Sequence, residues 1–260
     1  ADPIANVELF SSHTAGSDEI VDSGLRDARR SNKAIDLVEV DVGKLRTLVH
    51  DNDEADWGGD TATQKPEVWW NGIIYVEFPE GTDPGRTDEV VPGVDGWGLK
   101  LTNASQIPNP SFAHADSVYG MSVATNNVMY VQGHFNADGD PSTGSSTDPD
   151  VDDVTQEAPA ALIADAINIL SSNWDDADSA KNKGDRDAAF TEFSAAIMTG
   201  LVPSGDGGTS SYSGGVENFP RFLEDWGGDT LRMRGSIVSM FESEVATEQS
   251  IPLAREMLRR

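Results

Sequence analysis

Asn136, Asp138 and Asp140 set side-chain oxygens at positions 1, 3 and 5 of the run Asn136-Ala137-Asp138-Gly139-Asp140, and Asp148, Asp150, Asp152 and Asp153 follow. That spacing matches the opening of a calcium loop, in which alternate residues turn oxygens toward one hard cation. The match stops at Pro141, which stands where the sharp turn needs Gly, and at Thr147, which stands where a bidentate Glu belongs. Two readings stay open: a calcium site on Asn136, Asp138 and Asp140, or an acidic insertion that is simply solvated.

Other chemistry is less well supported. His13, His50, His114 and His134 are scattered and form no H-x-x-x-H or H-E-x-x-H pair. His134, at a strand end in QGHFN, reads as a turn histidine. The chain has no G-x-S-x-G elbow, and GDGGTSSYSGG at 205–215 lacks the Gly-Lys-Ser/Thr ending of a phosphate loop. A glycosidase needs two carboxylates about 5–10 Å apart. With 45 acidic residues, the sequence does not choose a pair. Trp57, Trp69, Trp70, Trp97, Trp174 and Trp226 could stack on sugars, although tryptophan more often packs or anchors a loop. No catalytic residue and no organic cofactor is assigned.

The 45 acidic against 18 basic residues give a formal charge of -27, a field that repels nucleic-acid phosphates and anionic membranes. Nucleic acid is therefore excluded as a partner. The same charge opposes compaction unless salt or bound cations offset it, and it suits a saline medium. Without cysteine, disulfides, thiolate zinc sites and cysteine nucleophiles drop out. No run of about 18 apolar residues is present to span a membrane. Ala1-Asp2-Pro3 has neither a basic nor an apolar signal region, so any secretion signal is expected to have been removed or never to have been part of this sequence.

Three regions are expected: a polar lead-in over 1–66 with one helix, a β-rich body over 67–243, and a capping or truncated helix over 244–260. In the lead-in, Asp41 caps a helix whose Val42, Leu45, Leu48 and Val49 share one face. Within the body, EVWWNGIIYVEF from Glu67, Gly98–Asn103, Met121–Thr125, Val128–Gly133, Ala161–Ile169, Phe193–Thr199 and Leu231–Phe241 read as strands. The run Ala160–Leu170 is ambiguous between a buried strand and a helix, and Asn218–Trp226 reads as a short helix entered through Pro220. The hexapeptide DWGGDT occurs at Asp56–Thr61 and again at Asp225–Thr230, which suggests one turn used twice, with Trp as anchor and Gly-Gly allowing positive φ.

The first strand centres lie about 25 residues apart, the range of a solenoid coil, and polar insertions at 138–158, 173–187 and 202–215 separate the later ones. The expected fold is mainly β, a right-handed β-solenoid-like body with helical decorations. A β-sandwich is the alternative.

GMSVATNNVMYVQGHFN at 120–136, ALIADAINILSSNW at 161–174, AAIMTG at 195–200 and YSGGVENFPRFLEDWGGDTLRMRGSIVSMFES at 212–243 together resemble the exported passenger region of PilX-like, prepilin-type bacterial proteins found near pilus-assembly genes. DLVEVDVGKLR at 36–46 fits the same pattern. The resemblance covers about two thirds of the chain in order and implies a β-rich, exported structural or adhesive protein of the cell surface, reached by periplasmic transit. It implies other surface or pilus proteins, or surface glycans, as partners, and it brings no catalytic residues. A carbohydrate-active enzyme, a polysaccharide lyase or glycosidase on a β-helical scaffold, is the competing expectation.

Overall fold

The computed structural model describes residues 10–13, 25, 27, 35–50, 71–78, 97–108, 120–137, 158–201 and 220–243. In chain order the elements are β1 (Phe10–His13), β2 (Asp36–Asp41), α1 (Val42–His50), β3 (Ile73–Val76), β4 (Trp97–Thr102), β5 (Met121–Thr125) and β6 (Val128–Gln132). Then come β7 (Ala160–Ala164), β8 (Ala166–Leu170), two 3₁₀ turns at Asp176–Ala180 and Lys183–Asp185, β9 (Thr191–Ser194), β10 (Ala196–Leu201), β11 (Pro220–Arg221), β12 (Leu231–Arg234) and β13 (Ile237–Glu242).

The protein is mainly β with parallel sheets. One sheet has the order β1-β2-β4-β6-β8-β11, a second β13-β10-β7-β5-β3, and a two-stranded sheet joins β12 to β9. Every pairing is parallel except that of β1 with β2. Parallel neighbours cannot be joined by tight hairpins, and the turn residues between runs accordingly pass the chain from one sheet to the next. Asn126-Asn127 carries β5 of the second sheet into β6 of the first, and Asp165 does the same between β7 and β8.

Runs that read as single strands are therefore broken at corners. Ala161–Ile169 divides at Asp165, Phe193–Thr199 at Ala195, and Leu231–Phe241 at Gly235-Ser236. At the last of these, Gly235 has φ +131°, and a Cβ there would sit 1.9 Å from the Ala195 carbonyl oxygen, so the close approach requires glycine. The corners also stack. The Asp165 N–H donates to the Asn127 carbonyl at 3.0 Å, and the Gly200 N–H donates to the Asp165 carbonyl at 3.0 Å.

The expected helix at Asn218–Trp226 is corrected: Pro220 and Arg221 form an edge strand beside Ile167 and Asn168. An edge position tolerates a proline that has no N–H to donate. The helix capped by Asp41 is present as α1, with the Lys44 N–H donating to Asp41 Oδ1 at 2.9 Å. Its Val42, Leu45 and Val49 enter the main core. Together with β2, which pairs with β4, this joins the described part of the lead-in to the body.

The core is built of register-matched columns. Val38, Leu99, Met129 and Ile167 align across the first sheet, and Ile74, Val123, Leu162 and Ile197 across the second. A third column runs through Phe135, Phe193 and Met233, where the two phenyl rings stack with centroids 5.4 Å apart. Period-2 alternation explains these columns, since every second residue of each run points inward and parallel register brings like residues together.

Candidate functional site

Several of the charged and polar residues that the fold buries lie on the outward side of the first sheet. Met129, Val131, Ile167 and Ile169 face the main core, so their neighbours Val128, Tyr130, Ala166, Asn168 and Leu170 face the other way. There Tyr130, Val128, Ala166 and Leu170 join a second apolar cluster with Leu25, Ile35, Leu37, Trp174 and Leu223. The sheet is thus covered on this side. The register runs Glu39, Lys100, Tyr130, Asn168, Arg221 across the strands.

The cover meets this polar row residue by residue. Lys100 is 5% exposed, and its Nζ donates to both carboxylate oxygens of Asp176 at 2.9 Å. Trp174 Nε1 donates to the same carboxylate at 2.6 Å, and Gln132 Nε2 donates to the Trp174 carbonyl at 2.8 Å. The Tyr130 hydroxyl donates to Asp27 Oδ2 at 3.2 Å, and Thr102 Oγ1 donates to Glu39 Oε1 at 2.9 Å.

Glu224 is 1% exposed and accepts two bonds from one residue, from the Ser171 N–H at 2.6 Å and from the Ser171 hydroxyl at 2.5 Å. Burial lifts its carboxyl above the usual carboxylate range, with the Ser171 bonds and the Arg186 charge acting in the opposite direction. Burial likewise lowers the Arg186 guanidinium, against the pull of Glu224 and Asp27. The row was partly visible in the chain: Lys100 interrupts the apolar run GLKLT, and Asn168 sits between two isoleucines in AINIL. The partners were not, because Asp27, Asp176 and Glu224 reach the sheet from distant segments.

Chemically, this arrangement clamps the cover to the sheet. Both oxygens of Glu224 are held by Ser171 inside the layer, and both oxygens of the half-buried Asp176 by Lys100.

The residues read as a calcium site fall differently. Asn136 is 2% exposed and has φ +47°. Its Nδ2 donates to the Ala158 carbonyl at 2.7 Å and to the Ser194 carbonyl at 2.9 Å, while Oδ1 accepts the Ala158 N–H at 3.1 Å. The side chain staples three backbone segments. Asp138 and Asp140 lie outside the described residues. Among the described residues, no group of three or more His, Asp or Glu is arranged to hold a metal.

His134 accepts the Glu192 N–H on Nδ1 at 3.0 Å, as suits a turn histidine. Beside it Glu192 pairs with Arg232, whose guanidinium lies 5.4 Å from the centre of the Phe190 ring. In the second DWGGDT copy Gly228 takes φ +103°, the Gly227 N–H donates to Asp225 Oδ1 at 2.9 Å, and Trp226 packs edge-on against Phe222. The first copy lies outside the described residues. Among the described residues, no helix is long and apolar enough to cross a membrane.

Comparison with protein-family models, with curated proteins and with solved structures finds no match to this chain.

Proposed function

We propose that the chain is an exported structural or adhesive protein of the bacterial surface, non-enzymatic and pilus-associated, whose body is a right-handed β-solenoid. The order in which the chain visits its stacks supports the architecture. From β5 onward it passes second sheet, first sheet, Phe135, second sheet (β7), first sheet (β8), β9, second sheet (β10), first sheet (β11), β12 and second sheet (β13). Phe135, β9 and β12 align with one another as a third stack. A chain that repeats this cycle winds about one axis, and parallel crossovers are right-handed in nearly all proteins. An experimental structure with left-handed connections, or with the sheets facing one another as an antiparallel sandwich, overturns this.

One observation carries the functional reading. Both terminal strands of the second sheet expose large apolar side chains: Ile73 and Tyr75 on β3 are 61% and 60% exposed, and Met240 and Phe241 on β13 are 65% and 42% exposed. A strand edge of this kind invites pairing with another protein strand unless something blocks it. In a chain of charge -27, such uncharged patches fit a protein partner better than an ionic one. Aliphatic Ile, Val and Met also favour protein over glycan, which needs polar groups beside its stacking faces.

The decisive test presents the purified protein to surface and pilus proteins and, in parallel, to acidic and neutral polysaccharides. Protein binding that weakens at least tenfold in Met240→Lys supports the reading. Polysaccharide turnover abolished by a single carboxylate substitution replaces it with the enzyme.

A further inference from the structure

Asn168 is fully buried, and neither its Nδ2 nor its Oδ1 meets a hydrogen-bonding partner in the protein. Two more buried donors share this condition, Arg186 Nε and Trp226 Nε1. Asn168 belongs to the covered side of the first sheet, whereas Trp226 packs against Phe222, which lies against the main core. Asn168 lies between Tyr130 and Arg221 in the register. Arg186 and Trp226 flank the bridge that pairs Asp187 with Asp225. Ala188 and Glu224 are both buried, 4% and 1% exposed. Arg186 is also within electrostatic reach of Glu224 and of Asp27, the acceptor of the Tyr130 hydroxyl.

We propose that the layer between the first sheet and its cover binds ordered water at Asn168 and Arg186, forming a hydrated site inside the protein. Two donors and one acceptor are left over there, and each is costly if it stays unmet in an apolar layer. The surroundings select the ligand. Asp27 and Glu224 repel an anion, while the Arg186 guanidinium and the inward N–H groups repel a cation. A small neutral molecule that both donates and accepts is required. Water meets that description, accepting from the Asn168 and Arg186 N–H groups and donating to Asn168 Oδ1. Buried polar groups without protein partners are the ordinary lodging of internal water.

The site is tested on the intact chain by magnetisation transfer between water and the Asn168 side-chain amide protons in solution NMR. A transfer signal of the sign given by long-lived bound water is expected, together with a lower melting temperature in Asn168→Leu. Trp226→Phe keeps the ring packing and removes a donor outside this layer, and it is expected to leave the Asn168 signal in place. Absence of the transfer signal overturns the proposal even if Asn168→Leu fails to fold. So does a rise in melting temperature in Asn168→Leu, because deleting a dry, unmet polar group relieves its desolvation cost.

Discussion

Glu224 takes both of its hydrogen bonds from Ser171, one from the backbone and one from the hydroxyl, at 2.6 and 2.5 Å in a fully covered layer. Its carboxyl binds a proton more tightly in the folded chain than in the unfolded one, because burial penalises the charge. Between the unfolded and folded pKa values the folded state therefore holds the extra proton, and stability falls as pH rises through that window. The contribution is complete below the unfolded value and lost above the folded one. Chemical denaturation from acid to neutral pH should show this slope in the difference between the wild type and Glu224→Gln. A difference that stays flat removes Glu224 as the titrating group. Ser171→Ala, which deletes one of the two bonds to Glu224, should cost about 0.5–3 kcal/mol.

Asn136 should behave as a backbone staple. Asn136→Ala strands the Ala158 N–H and the Ala158 and Ser194 carbonyls, with a cost of about 1–3 kcal/mol for each buried group left unmet. Asn136→Asp should be at least as damaging, since it turns a carboxylate oxygen toward two carbonyls that now receive an N–H. The comparison is made by urea denaturation with and without calcium. If Asn136→Asp instead gains stability specifically from calcium, the residue acts as a ligand.

The acidic loop that begins at Asn136 remains proposed as a calcium site through Asp138 and Asp140. At fixed ionic strength, calcium should then raise the melting temperature more than magnesium, which demands tighter octahedral geometry and gives up its water reluctantly. Replacing Asp138 and Asp140 together by Asn should erase the difference and leave the response to sodium chloride in place, because that response is a screening of the whole -27 charge. Equal effects of the two ions would reduce the loop to a solvated insertion.

The Phe135–Phe193 stack ties the third column of the core together. Both residues are fully buried, so Phe193→Ala should destabilise by about 3–5 kcal/mol, and Phe193→Leu by clearly less. Equilibrium unfolding by urea measures both. Near-equal losses would mean that the ring contributes bulk alone.

Much of the β character was legible along the chain. Met121–Thr125 coincides with β5, and the runs at 98–103 and 128–133 match β4 and β6 to within a residue at each end. Alternation of apolar residues and the dense β-branched types determine such strands locally, and Asp41 determines the start of α1 by offering its oxygen to the Lys44 N–H. The sequence also determined what the protein repels, through its charge, and what it cannot form, through its lack of cysteine.

Only the tertiary structure decided where the strands end and which residues meet. Asp165 and Ala195 look like interior residues of long apolar runs, yet the parallel register of neighbouring strands forces the chain to turn there. Pro220 promised a helix, and the free edge beside β8 made it a strand. The clamps are the clearest case. Lys100 finds Asp176 across 76 residues, and Tyr130 finds Asp27 across 103. No local pattern encodes those pairs, because their cause is the covering of one sheet face: a buried charge must meet an opposite charge or fixed hydrogen-bonding groups, wherever in the chain those lie.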